Sequence, residues 1–155
     1  MFRLLIVLAF VPAIFARTPI RECGGGIPLP DAVFFSSRET PCLTAPCTVS
    51  RRQGFGVTYV DFTTRAVTTG IMPRVRAIVF GVTINQSLPD DIQNNPCSIL
   101  ELGSCPLSAN QRASYRLQLP VESNTPLITT DTEISLLGDN DVPIFCYRLE
   151  NRVVL

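Results

Sequence analysis

The stretch Val75-Arg-Ala-Ile-Val-Phe-Gly-Val-Thr-Ile84 decides the fold class. Read with a period of two it places Ala77 and Val79 on one face and Ile78, Phe80, Val82 and Ile84 on the other. Apolar residues on both faces are expected of a strand inside a sandwich. Similar runs recur on either side of it. Residues 54–62 alternate as Phe55, Val57, Tyr59 and then resume out of phase as Val60, Phe62, a shift that predicts a β-bulge. Residues 114–121 set Tyr115, Leu117, Leu119 and Val121 opposite Arg116 and Gln118. Residues 127–136 set Ile128, Thr130, Thr132, Ile134 and Leu136 opposite Asp131 and Glu133, and residues 142–154 supply a last strand with Phe145 and Tyr147. Residues 32–35 make a shorter run, and Pro-, Asn- and Gly-bearing turns separate these segments, with no amphipathic helix between them. The pattern predicts an all-β sandwich. Thr130 and Thr132 are inward by alternation, so their hydroxyls either bond to nearby backbone or act as polar handles on a cavity wall.

The ends and the composition narrow the function. The chain opens with one positive charge, an apolar run over residues 4–11, Pro12 and then small residues. This predicts a signal peptide over residues 1–16, since ~18 or more apolar residues would be needed to span a bilayer. One mature domain over residues 17–155 follows, secreted to the extracellular space or reaching a lysosomal lumen. The basic residues are all arginine and are dispersed, and loss of Arg3 leaves a formal charge of minus one, so nucleic acid is not an expected partner. Histidine is absent, which removes Ser-His-Asp and Cys-His nucleophile pairs and His-containing zinc sites. The remaining paired carboxylates, Asp90-Asp91 and Asp139 with Asp141, sit in turn sequence. No catalytic residue, metal or cofactor is expected.

Six cysteines, Cys23, Cys42, Cys47, Cys97, Cys105 and Cys146, all follow the leader and read as disulfides of an oxidising compartment. About 15 pairings are possible. Proximity suggests Cys42 with Cys47 and Cys97 with Cys105, which leaves Cys23 for Cys146. Asn85-Gln-Ser87 is a glycosylation sequon.

Several short motifs, taken in order, resemble the ML lipid-recognition domains. They are Glu22-Cys-Gly-Gly25, Pro41-Cys-Leu-Thr-Ala-Pro-Cys47, Phe80-Gly-Val82, Ser104-Cys-Pro-Leu107, Leu119-Pro-Val121 and Phe145-Cys-Tyr147. The resemblance implies an immunoglobulin-like two-sheet β-sandwich with the three disulfides paired as above. It also implies an apolar cavity between the sheets that carries a sterol, fatty acid or other small apolar ligand, without catalysis. Carried over residue by residue, Phe80, Val82 and Ile84 form one wall, and Tyr115, Leu119, Val121, Pro126, Ile128, Phe145 and Tyr147 supply the rest. Gln86 and Thr125 stand where sterol-transfer members of the family carry aromatic residues, which removes aromatic surface from the expected entrance, and a glycan at Asn85 would crowd it. A monomer that hands its ligand to a lipid-accepting membrane protein fits this reading. The alternative is an innate-immunity module presenting microbial lipid to a receptor, for which Arg74 and Arg76 beside residues 70–73 would form a cationic rim. A ligand-free structural or adhesive sandwich has the same core composition.

Overall fold

The expected long strand across residues 75–84 folds back on itself. In the computed structural model, which describes residues 17–37 and 40–155, Val79 pairs with Val82 and the chain reverses through Phe80 and Gly81. Both residues have positive φ, 49° and 81°, the conformation that a two-residue hairpin turn demands and that glycine adopts freely. The reversal reassigns the faces. Ala77, Val79, Val82 and Ile84 lie together, while Ile78 lies with Thr83 on the other side. The expected leader over residues 1–16 lies outside the described residues.

The strands are β1 (Arg21–Glu22), β2 (Ala32–Ser37), β3 (Thr40–Pro41), β4 (Cys47–Ser50), β5 (Phe55–Thr63), β6 (Met72–Val79), β7 (Val82–Gln86), β8 (Leu100–Leu102), β9 (Arg112–Pro120), β10 (Thr129–Leu137) and β11 (Pro143–Val154). A short helix, α1 (Asp90–Asn94), follows β7. One sheet runs β1-β11-β10-β6-β7, with β4 added parallel to β11; the other runs β3-β2-β5-β9-β8. The fold is the all-β, two-sheet sandwich that the alternation predicts, and its three disulfides are Cys23–Cys146, Cys42–Cys47 and Cys97–Cys105.

The bulge expected in β5 does not form, because its register with β2 and with β9 runs unbroken. Phe55, Val57 and Tyr59 belong to the outer face, where the Arg116 guanidinium lies 5.8 Å from the Tyr59 ring centroid. Gly56, Thr58, Val60 and Phe62 face inward and share that face with Leu119, Leu117, Tyr115 and Ala113 of β9. Gly56 is required by packing, since a Cβ there would meet the Phe35 ring at 3.0 Å.

On the outer face of the first sheet, Glu133 is 4 % exposed. Arg148 Nε donates to its Oε2 at 3.0 Å and Arg76 donates to its Oε1, so a nearly buried carboxylate is held by two cations. Breaking such an arrangement leaves buried charge uncompensated. About a third of each arginine side chain remains exposed, which screens part of the loss. Glu133→Gln is therefore expected to cost about 2 kcal/mol in urea unfolding. A loss within about 0.5 kcal/mol, the range of ordinary surface changes, would show that solvent cancels the pairing.

Candidate functional site

The inner faces of the two sheets grade from a closed, aromatic half to an open half. In the closed half Phe62, Tyr115, Phe145 and Tyr147 are at most 2 % exposed. Their rings form a cluster with centroids 5.3 Å apart for Phe62 and Phe145, 6.0 Å for Tyr115 and Phe145, and 6.3 Å for Phe145 and Tyr147. Strand register places Val75, Ile134 and Tyr147 on one row of the inner face. The next row is Ala77, Thr132, Leu149 and Ile84, and the one after it Val79, Thr130, Asn151 and Val82. Exposure rises along these rows toward the β7 edge, from 2 % at Val75 to 47 % at Ile84 and 62 % at Val82. Leu119 and Val121 on the facing sheet pack partly buried against the core.

The residues expected to line a pocket therefore separate into groups. Tyr115, Phe145 and Tyr147 lie together at the closed half. Leu119, Val121 and Ile128 are partly buried, and Val82 and Ile84 form the exposed rim of the opposite inner face. Phe80 does not share their wall, because it sits at the hairpin tip and is 94 % exposed, and Pro126 is also exposed. Gln86 lies in register with Val75 and so borders the same opening. Asn85 pairs with Arg76 on the outer face, so a glycan there would project away from the inner face instead of crowding it. Arg76 is engaged with Glu133, and an Arg74 nitrogen lies 4.0 Å from an Asp141 oxygen.

The polar atoms of this interior are few. Thr130 Oγ1 donates to the Ile78 carbonyl at 2.9 Å, as the backbone-bonding reading requires. Asn151 Nδ2 donates to Thr132 Oγ1 at 2.9 Å, while its Oδ1 has no partner. The Thr58 and Tyr147 hydroxyls lie 3.0 Å apart, and the Tyr115 hydroxyl neighbours that of Tyr147 on its other side. Thr58 escaped sequence reading because the apparent phase shift in β5 concealed its direction. Leu117 had the signal, the same alternation as Tyr115, and belongs with the inner set.

Burial drives the Tyr115 phenol well above the ordinary value of 10.0, with Tyr147 beside it adding to the rise. Burial likewise pushes Tyr147 up to about 12, against the lowering effects of its hydrogen bonds with Thr58 and Tyr115. An unfolded chain ionises these phenols near pH 10, so the stability they confer is intact below that pH and is lost as pH rises toward 12 and beyond. Each should contribute a slope of about 1.4 kcal/mol per pH unit in that window. Phenolate absorbance should then rise in step with loss of β circular dichroism. Ionisation of all three tyrosines before any unfolding would contradict the buried placement.

Two concavities flank the interior without entering it. One, of 170 Å³, backs onto Phe62 and Phe145 from the closed end, beside Asp31 and Arg65. The other, of 390 Å³, lies along the Cys42–Cys47 loop and is lined largely by Ser, Thr and Pro side chains.

The sequence signature of the ML domain matches residues 17–153, nearly the whole described chain. The chain belongs to the ML domain family. Its ML domain is 27 % identical over 129 residues to the NPC intracellular cholesterol transporter 2 of Canis lupus familiaris, an alignment covering 83 % of this chain and 80 % of that one. The counterpart from Bos taurus is 27 % identical over 130 residues, with the same coverage. Among solved structures, a Niemann-Pick type C2 protein from Japanese carpenter ant superposes with a TM-score of 0.72 at 17 % identity. That superposition covers 88 % of this ML domain chain and 99 % of the ant protein, and it establishes the shared fold.

Proposed function

We propose that this ML domain is a carrier that takes a sterol, fatty acid or similar small apolar ligand between its two sheets and passes it to an acceptor. The observation that carries the reading is the inner face of the first sheet. It runs without a charged residue from buried Val75 and Ile134 to exposed Ile84 and Val82, so an apolar surface leads from the core to solvent. A monomeric domain normally covers such a face. The cholesterol-transporter relatives supply the ligand class. Entry would part the sheets at the β7 edge and transfer ligand area from water onto this face, at about 0.8 kcal/mol per buried CH₂. The proposed chemistry is binding without catalysis.

The same reading assigns residues 1–16 to a cleaved leader, places the protein outside the cell or in a lysosomal lumen, and gives Asn85 a glycan on the outer face. Among the described residues no helix is long and apolar enough to cross a membrane. The alternative role in presenting microbial lipid gains no support, since Arg76 of its expected cationic rim is already paired with Glu133.

Native mass spectrometry of the protein secreted by a eukaryotic host, followed by organic extraction, tests the proposal. The expected result is a co-purified lipid at up to one per chain, or saturable uptake of added sterol or fatty acid by the stripped protein. A chain that arrives empty and refuses both ligands would overturn it.

A further inference from the structure

The Cys23–Cys146 bridge lies against Glu133 on the outer face of the first sheet. A carboxylate oxygen and the two sulfurs all fall within 4.8 Å of one another. Register sets Arg21, Arg148, Glu133 and Arg76 in one row across that face, and Cys146, Ser135 and Arg74 in the next. Arg21 pairs with Asp131, and an Arg74 nitrogen lies 4.0 Å from an Asp141 oxygen. Glu133 alone answers both Arg76 and Arg148. One carboxylate thus faces two guanidiniums beside the bridge, and removing it would leave both uncompensated.

Uncompensated cations make a disulfide labile, because they draw thiolates in and stabilise the thiolate that leaves. Cys23 is half-buried whereas Cys146 is 1 % exposed, so attack falls on the Cys23 sulfur. A new S–S bond forms between that sulfur and the incoming thiolate, the Cys23–Cys146 bond breaks, and its electron pair leaves on Cys146 Sγ beside Glu133. A second thiolate then displaces Cys23. Two external thiols are oxidised to a disulfide while the bridge is reduced to two thiols, which take their protons from solvent. A carboxylate at this distance opposes both events of the first step, the approach of an anion and the growth of negative charge on Cys146. We infer that Glu133 is an electrostatic guard on the Cys23–Cys146 bridge, holding it closed against small anionic thiols. This role acts on the rate of thiolate attack and is separate from the contribution of the same ion pairs to folding stability. It is independent of the lipid-carrier reading.

The test follows native-state reduction of wild type, Glu133→Gln and Arg148→Gln by two thiols at matched thiolate concentration. Glutathione attacks as a species with net negative charge, and cysteamine attacks as a neutral zwitterion. Acid quenching, alkylation and peptide mapping read each bridge separately. At low salt, Glu133→Gln should raise the glutathione-to-cysteamine rate ratio at Cys23–Cys146 by about threefold to tenfold, and added salt should shrink the change. Arg148→Gln breaks the same pairing but removes a cation, so it should lower the ratio. The ratio at the Cys42–Cys47 bridge should stay at its wild-type value in both variants. Lost stability alone speeds both thiols alike and leaves the ratio unmoved. An unmoved ratio at Cys23–Cys146, a change of the same sign in the two variants, or an equal change at Cys42–Cys47 would each overturn the guard.

Discussion

Replacing Cys23 and Cys146 together by alanine is expected to remove about 5 kcal/mol of stability and to lower the melting temperature by on the order of 10 to 20 °C. The bridge joins residues 123 apart and ties the chain just after β1 to the outer face of β11, beside Glu133. Without it the unfolded chain regains the freedom of nearly the whole domain. The Cys42–Cys47 bridge spans only five positions, and in the same chain-entropy treatment its loss should cost about 2 kcal/mol. The ordering of the two effects is the discriminating result. Thermal unfolding of both double variants under non-reducing conditions measures it, and equal shifts would mean that the bridges act through native contacts instead of through the unfolded state.

Phe145→Ala is expected to cost about 3 to 5 kcal/mol, because it deletes the ring that touches every other member of the aromatic cluster. Phe145 is 1 % exposed and stacks between Tyr115 and Tyr147, so the space left behind is walled by rings on strands from both sheets and cannot collapse easily. Guanidinium unfolding of the purified protein reads the loss. A saturating apolar ligand that fills the space should recover part of it, by about 2.7 kcal/mol at a hundredfold excess over its dissociation constant. A loss under about 1 kcal/mol would show that the closed half is loosely packed, and the contrast between closed and open halves would fail with it.

Much of this was legible in the residue order. The strands around Tyr115, Ile134 and Phe145 announced themselves by alternation, because each has one polar and one apolar face and local chemistry alone decides which is inward. The disulfide partners followed from spacing and compartment. Segments apolar on both faces gave no such guidance. In β5 the outer Val57 is only 7 % exposed, so Val57 and Val60 look alike although they point to opposite sides. The reversal at Phe80-Gly81 was hidden for a related reason. An aromatic residue is a poor candidate for positive φ, and the run Ile78-Val79-Phe80 reads as an uninterrupted strand.

The candidate site divides in the same way. Tyr115, Phe145, Tyr147, Leu119, Val121 and Ile128 were named as what the family resemblance implies, and alternation gave the direction of Tyr115, Leu119, Phe145 and Tyr147 within their strands. The displacement of Phe80 to an exposed tip, the entry of Thr58 into the interior and the position of Asn85 on the outer face could not be read in either way. Each depends on which element lies opposite.

The sequence by itself determined that the chain is a disulfide-tied β-sandwich with an apolar interior, because alternation, turn residues and cysteine spacing are local or nearly local properties. Only the tertiary structure decided where that interior opens and which of its polar atoms go unpaired. A side chain's exposure is set by whether the facing sheet extends over it, and a hydroxyl's satisfaction by which atoms the fold brings within about 3 Å. That is why Val82 is a rim residue and Val75 a core residue on the same sheet, and why the Tyr147 hydroxyl has a partner in Thr58 while Asn151 Oδ1 has none.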